Sequence, residues 1–145
     1  MDRQSVLMIR ASLAWLAAAG ALGAALMAAA PIGLPGGRAL ALIHVHALLV
    51  GWLVQFALGV GYWLFPRRRG PGRPLGYRER TAAAAFVALN AGLLLRVVVE
   101  PAMWGGAPGT PARWLATIAS LAQGAAILTF ARQLWPRVAA RLPKP

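Results

Sequence analysis

Two imidazoles, His44 and His46, stand in a 145-residue chain that contains no cysteine. Both lie inside a long apolar stretch, where a polar group is costly and is therefore a candidate for function. Other polar residues singled out in such stretches are Gln55 in the same stretch, Asn90, Arg96 and Glu100 in or at the end of a later one, and Thr117, Ser120 and Gln123 in the last. On a helix, residues two apart are separated by about 200°, so the two imidazoles point to opposite faces. They cannot chelate one metal ion unless the start of the helix is distorted. The face of His44 continues through Leu48, Gly51, Gln55, Gly59 and Tyr62, which is small and polar, so His44 is expected to point into a bundle. Gly51 would leave room there for a flat ligand. His46 shares its face with Leu49, Val50, Leu53, Ala57, Val60 and Leu64, and is expected to meet lipid, a neighbouring subunit or a second site. A plainer role competes for both: a histidine near a helix end can hydrogen-bond a neighbouring backbone or sit among headgroups.

The elements that carry these residues follow from composition. Hydrophobic residues make up 59% and charged residues 12% of the chain, far from the roughly 45–50% and 25% of soluble domains. So small a domain has too little interior to hide that much apolar side chain, and disorder is excluded by the same richness. Four stretches approach or exceed the roughly 20 apolar residues a spanning helix needs, at about 6–30, 39–65, 81–99 and 112–135. Pro31 to Gly37, Pro66 to Pro74 and Pro101 to Pro111 separate them, being too rich in proline and glycine to continue a helix. A single integral membrane domain over 1–145 is predicted, all-α, a four-transmembrane-helix bundle. A signal peptide ending at Ala28-Ala29-Ala30 fits less well, because its apolar core would be too long.

The net charge of +12 comes from 15 basic residues against Asp2, Glu79 and Glu100. Arg3 and Arg10, then Arg67, Arg68, Arg69, Arg73, Arg78 and Arg80, then Arg132, Arg137, Arg141 and Lys144 fall on one side of the four spans. Arg38 and Arg113 fall on the other, with Arg96 inside the third span. Positive residues stay on the cytoplasmic side during insertion, so both termini are predicted to be cytoplasmic, in the inner (cytoplasmic) membrane. Trp63 and Trp135 then mark one interface and Trp104 and Trp114 the other. This topology accounts for the charge without a nucleic-acid partner, and no nucleic-acid binding is predicted. Ala17, Gly20, Ala21, Gly23 and Ala24 favour close helix approach in the first span.

The run His44-Val45-His46-Ala47-Leu48-Leu49-Val50-Gly51-Trp52, with Gly59, Tyr62 and Leu64-Phe65-Pro66, resembles the second transmembrane helix of haem-copper oxidase subunit I and nitric oxide reductase. It is closer still to the His-x-His helix of the nitric-oxide-response NnrS-like membrane proteins. His44, Gly59 and Pro66 reproduce the family spacing of histidine, glycine and proline. In the oxidases that histidine is an axial ligand of the low-spin haem near the outer face, on a helix running from outside to inside. The direction deduced from charge matches. The chain departs from the pattern in having Ala47 where the NnrS-like helix usually has Glu. It also lacks the later helices that bear the remaining haem and copper ligands, so oxygen reduction at a haem–copper centre is not implied.

The resemblance implies haem b ligated by His44. A haem also needs apolar walls and a partner for its propionates. Arg38 lies six residues before His44, about 9 Å along a helix; Arg96 and Arg113 belong to the same leaflet, and a guanidinium pairs a carboxylate in two-pronged fashion. Arg96 can equally pair with Glu100 at i,i+4. Gln55 and Asn90 could orient an imidazole, but bonding between helices is the simpler role, and Thr117, Ser120, Gln123 and Gly124 read as a packing seam. Tyr62 and Trp63 read as interface anchors, and Met8, Met27 and Met103 as packing filler. A missing sixth ligand would leave iron open to nitric oxide, oxygen or carbon monoxide; a second copy of the chain could instead supply it. The expected protein is thus a membrane haem b protein that binds a diatomic gas or relays electrons, a homo-oligomer in lipid with a redox partner in the second case. Two alternatives stand beside it: a copper-binding protein using His44 and His46, and a cofactor-free structural or assembly subunit.

Overall fold

The computed structural model describes residues 1–33, 37–67, 69–104 and 109–139. Leu34, Pro35, Gly36, Arg68, Gly105, Gly106, Pro108, Arg141 and Lys144 fall outside the described residues, as do the side chains of Pro31 and Trp104. Four helices dominate: a first span Arg3–Ala29, a second Gly37–Leu64, a third Glu79–Trp104 and a fourth Thr110–Ala139. Each is long and apolar enough to cross a membrane. Strand structure among the described residues is limited to an isolated bridge between Gly70 and Arg73 in the turn between the second and third spans.

The helix ends follow local chemistry. Asp2 caps the first span, its Oδ1 accepting from the Ser5 amide at 2.9 Å and the Ser5 hydroxyl at 3.0 Å, which satisfies a donor that an N-terminus otherwise leaves orphaned. The third span runs on through Pro101 to Trp104, five residues beyond the predicted end at 99. A proline removes one helical hydrogen bond, and helices in lipid tolerate this where other groups satisfy the freed carbonyl. Pro136 likewise sits inside the fourth span.

The second span is composite. α-Helix over Gly37–His46 gives way to π-helix over Ala47–Val54, and α-helix resumes over Gln55–Leu64. Its buried stripe is Ala39, Ile43, Ala47, Gly51, Gln55, Gly59 and Tyr62, a repeat of four that a pure α-helix would carry slowly around its axis. The wider i→i+5 turns offset that drift and keep the stripe facing its neighbours. Gly51, Gln55, Gly59 and Tyr62 thus lie on the inward face, while Leu49, Leu53 and Leu64 face outward.

The bundle divides into two halves. Near the termini a core of Met8, Tyr62, Tyr77, Leu89, Phe130 and Leu134 is apolar and aromatic. At the opposite end, polar side chains occupy the helix interfaces. The exterior is greasy, with Val98, Leu121, Leu128, Trp114 and Trp135 all largely exposed, as expected where lipid replaces water as the solvent.

Candidate functional site

His44 and His46 flank the buried stripe on opposite sides, and each engages a different helix. His44 turns to the first span, where its Nδ1 lies 2.9 Å from the carbonyl oxygen of Ala19. A carbonyl only accepts, so Nδ1 carries a proton and Nε2 is the ring nitrogen that the neutral imidazole offers as an acceptor or ligand. No hydrogen bond to Nε2 is seen among the described residues, and the residue is half-buried. Gly23 makes this placement possible: a Cβ there would lie 2.6 Å from Cε1 of the imidazole. Of the small residues in the first span, Ala19 and Gly23 form the contact, whereas Ala17, Gly20, Ala21 and Ala24 are exposed.

A flat group does lie against Gly51, and it belongs to the protein. A Cβ on Gly51 would meet Cγ of Trp15 at 2.6 Å. The Trp15 indole N–H donates to Asn90 Oδ1 at 2.9 Å, and Asn90 Nδ2 donates to Gln55 Oε1 at 2.7 Å and to the Phe86 carbonyl at 2.9 Å. Gln55, fully buried, therefore ties the first three spans together through Asn90. Trp15 is the member that sequence inspection missed, since nothing in its own helix marks it as the partner of Gly51.

His46 turns to the third span. Its Nδ1 lies 2.8 Å from Glu100 Oε1 on the third span, and its Nε2 is 3.5 Å from Arg96 Nη1. Lipid, a neighbouring subunit and a second site are the surroundings expected for it; within this chain its partner is Glu100, a carboxylate only 5% exposed that needs partners of its own. Arg96 holds the other side of this carboxylate at 3.0 Å, as the i,i+4 spacing allows. It then reaches the fourth span, with Nε donating to Gln123 Oε1 at 3.0 Å and Nη2 to Ser120 Oγ at 2.7 Å. Gly92 brings the two helices this close: its hydrogen faces the Ala119 carbonyl, only 2.9 Å from where a Cβ would sit. Ser120 and Gln123 thus do more than pack, while Gly124 faces open space. Arg38 and Arg113 are exposed at the starts of the second and fourth spans, at this same end.

The termini end holds a further cluster. Tyr62, expected at the interface, is wholly buried, whereas its neighbour Trp63 is exposed. The Tyr62 hydroxyl donates to Gln133 Oε1 at 2.9 Å and its ring meets that of Tyr77 edge-on at 4.7 Å. Arg137 is 1% exposed and donates to the carbonyls of Tyr62, Phe65 and Pro66. It closes the C-terminus of the second span, whose last carbonyls lack helical partners. Burial, and then Asp2, hold the Tyr77 hydroxyl above the ordinary tyrosine range, so it stays protonated. No family model, curated protein or solved structure matches the chain.

Proposed function

We propose that this chain is a haem b protein of the inner membrane, with both termini cytoplasmic and His44 as the axial ligand. The observation that carries the reading is the bond from His44 Nδ1 to the Ala19 carbonyl. Such a bond fixes the tautomer and orients the ring, as it does for ligating histidines generally. The π-helical segment beginning one residue after His46 is a second support, because such segments are frequent at functional sites.

The donor fits; the interior of one chain does not supply the walls. Trp15 fills the space beside Gly51, and Arg96 is engaged by Glu100, Gln123 and Ser120. A porphyrin held by Nε2 therefore belongs at the bundle surface, with a second copy of the chain covering it. Arg38 and Arg113, exposed at the same end of the bundle, would meet its propionates. Bound there, haem would supply an iron for a diatomic gas such as nitric oxide or oxygen, or for one-electron relay. His46 is the weaker iron or copper ligand, since each of its nitrogens faces a protein partner.

The contacts of both histidines also favour a second reading, a cofactor-free assembly subunit in which they only join helices. The spectrum of the reduced protein, purified after expression with haem supplied, separates the two. A Soret band that vanishes in His44→Ala and survives in His46→Ala is expected. Absence of any band favours the assembly subunit. Exposure of the reduced protein to carbon monoxide then distinguishes an open iron position, which shifts the band, from one ligated on both sides.

A further inference from the structure

Positive residues on a cytoplasmic flank need only be near the membrane surface; nothing in that rule makes them converge. Here they do. A pocket of about 530 Å³ at the termini end gathers Arg73 and Arg78 from the turn between the second and third spans, and Arg132 and Arg137 from the fourth span. Among the described residues no carboxylate lines it, and Tyr77 and Gln133 add neutral polar groups. The turn is shaped for this by Gly72 and Gly76, whose φ of 68° and 83° is strained for residues bearing a side chain. Two donors on residues that line the pocket, Arg137 Nη1 and Gln133 Nε2, are enclosed and have no partner among the described residues. The Gln133 amide is oriented by the Tyr62 hydroxyl, which occupies its oxygen and leaves its nitrogen unpaired.

We infer that this pocket binds a phosphate group, that of an anionic phospholipid headgroup. Guanidinium groups recognise phosphate oxygens in two-pronged fashion, and the volume is that of a small-ligand site rather than of a single ion. A second, mainly apolar concavity lined by Ala131, Arg132 and Trp135 shares Arg132 with the first. It offers an acyl chain a path along the largely exposed Trp135.

Native mass spectrometry of the detergent-purified full chain tests this with phosphatidylglycerol, phosphatidylcholine and inorganic phosphate as probes. Phosphatidylglycerol is expected to bind more tightly than phosphatidylcholine, and Arg73→Gln and Arg78→Gln each to weaken it about fivefold. Arg10→Gln, away from the pocket, is the control and should change nothing. Competition by inorganic phosphate at millimolar concentration supports the phosphate contact itself, and binding of phosphate without lipid would transfer the site to a soluble phosphorylated compound. Equal binding of both lipids without any phosphate response, or an unaltered affinity in Arg73→Gln and Arg78→Gln, overturns the proposal.

Discussion

At the scale of single residues, two small side chains decide where the imidazoles go. Gly23 is the clearer case. An alanine there would press a methyl onto the His44 ring, with 2.6 Å available where real contacts need well over 3 Å. Gly23→Ala should therefore turn the imidazole away from Ala19 and destabilise the protein by about 1–3 kcal/mol. It should also lower haem occupancy although His44 itself is retained; unfolding in detergent and the Soret absorbance measure the two effects. Retained stability and occupancy would mean that the ring does not rest on Gly23. Arg96 and Glu100 form the other test. Glu100→Ala leaves a guanidinium without its carboxylate at membrane depth and should cost about 3–5 kcal/mol. The double change with Arg96→Leu should recover much of that loss in a double-mutant cycle. The sequence already pointed to the Arg96–Glu100 pair, because i,i+4 spacing lies within one helix. It did not point to His46 as their partner: the apolar residues on its face outweighed a carboxylate from a different span.

At the scale of elements, the crossing of the third and fourth spans rests on Gly92. A Cβ there meets the Ala119 carbonyl at 2.9 Å, and backbone cannot step aside as a flexible side chain would. Gly92→Ala is expected to part the helices, lowering stability by about 1–3 kcal/mol, whereas Gly124→Ala, which faces open space, should be tolerated. Thermal unfolding of the two variants side by side checks this; equal effects would remove Gly92 from the crossing. The spans themselves were readable from apolar length and from the Pro/Gly breaks. Their ends were less so, since Pro101 was read as a stop and the helix passes through it. The π-helical turns at Ala47–Val54 leave no mark in residue type. The inward stripe through Gly51, Gln55, Gly59 and Tyr62 was readable all the same, because small and polar residues stand out in an apolar helix. What fills the space beside Gly51 was not, because Trp15 arrives from another helix.

At the scale of the whole molecule, the account joins a topology to a cofactor. From the distribution of charge we propose that the termini and the turn between the second and third spans are cytoplasmic. The chain has no cysteine, so single substitutions report on one position at a time. Ile32→Cys, 80% exposed beyond the first span, should react with a membrane-impermeant maleimide in intact spheroplasts. Arg69→Cys, exposed in the turn at the other end, should react only after permeabilisation. The reverse pattern would invert the protein and place His44 near the cytoplasmic face.

The central claim is that His44 Nε2 binds haem iron, and a visible spectrum of the purified wild-type chain beside His44→Ala addresses it most directly. The account predicts a Soret band near one haem per chain, or one per pair of chains, in the wild type, and its loss in the variant while the helical content measured by circular dichroism stays the same. A well-folded wild-type protein that remains colourless with haem in excess, or a band of equal strength in His44→Ala, would contradict it.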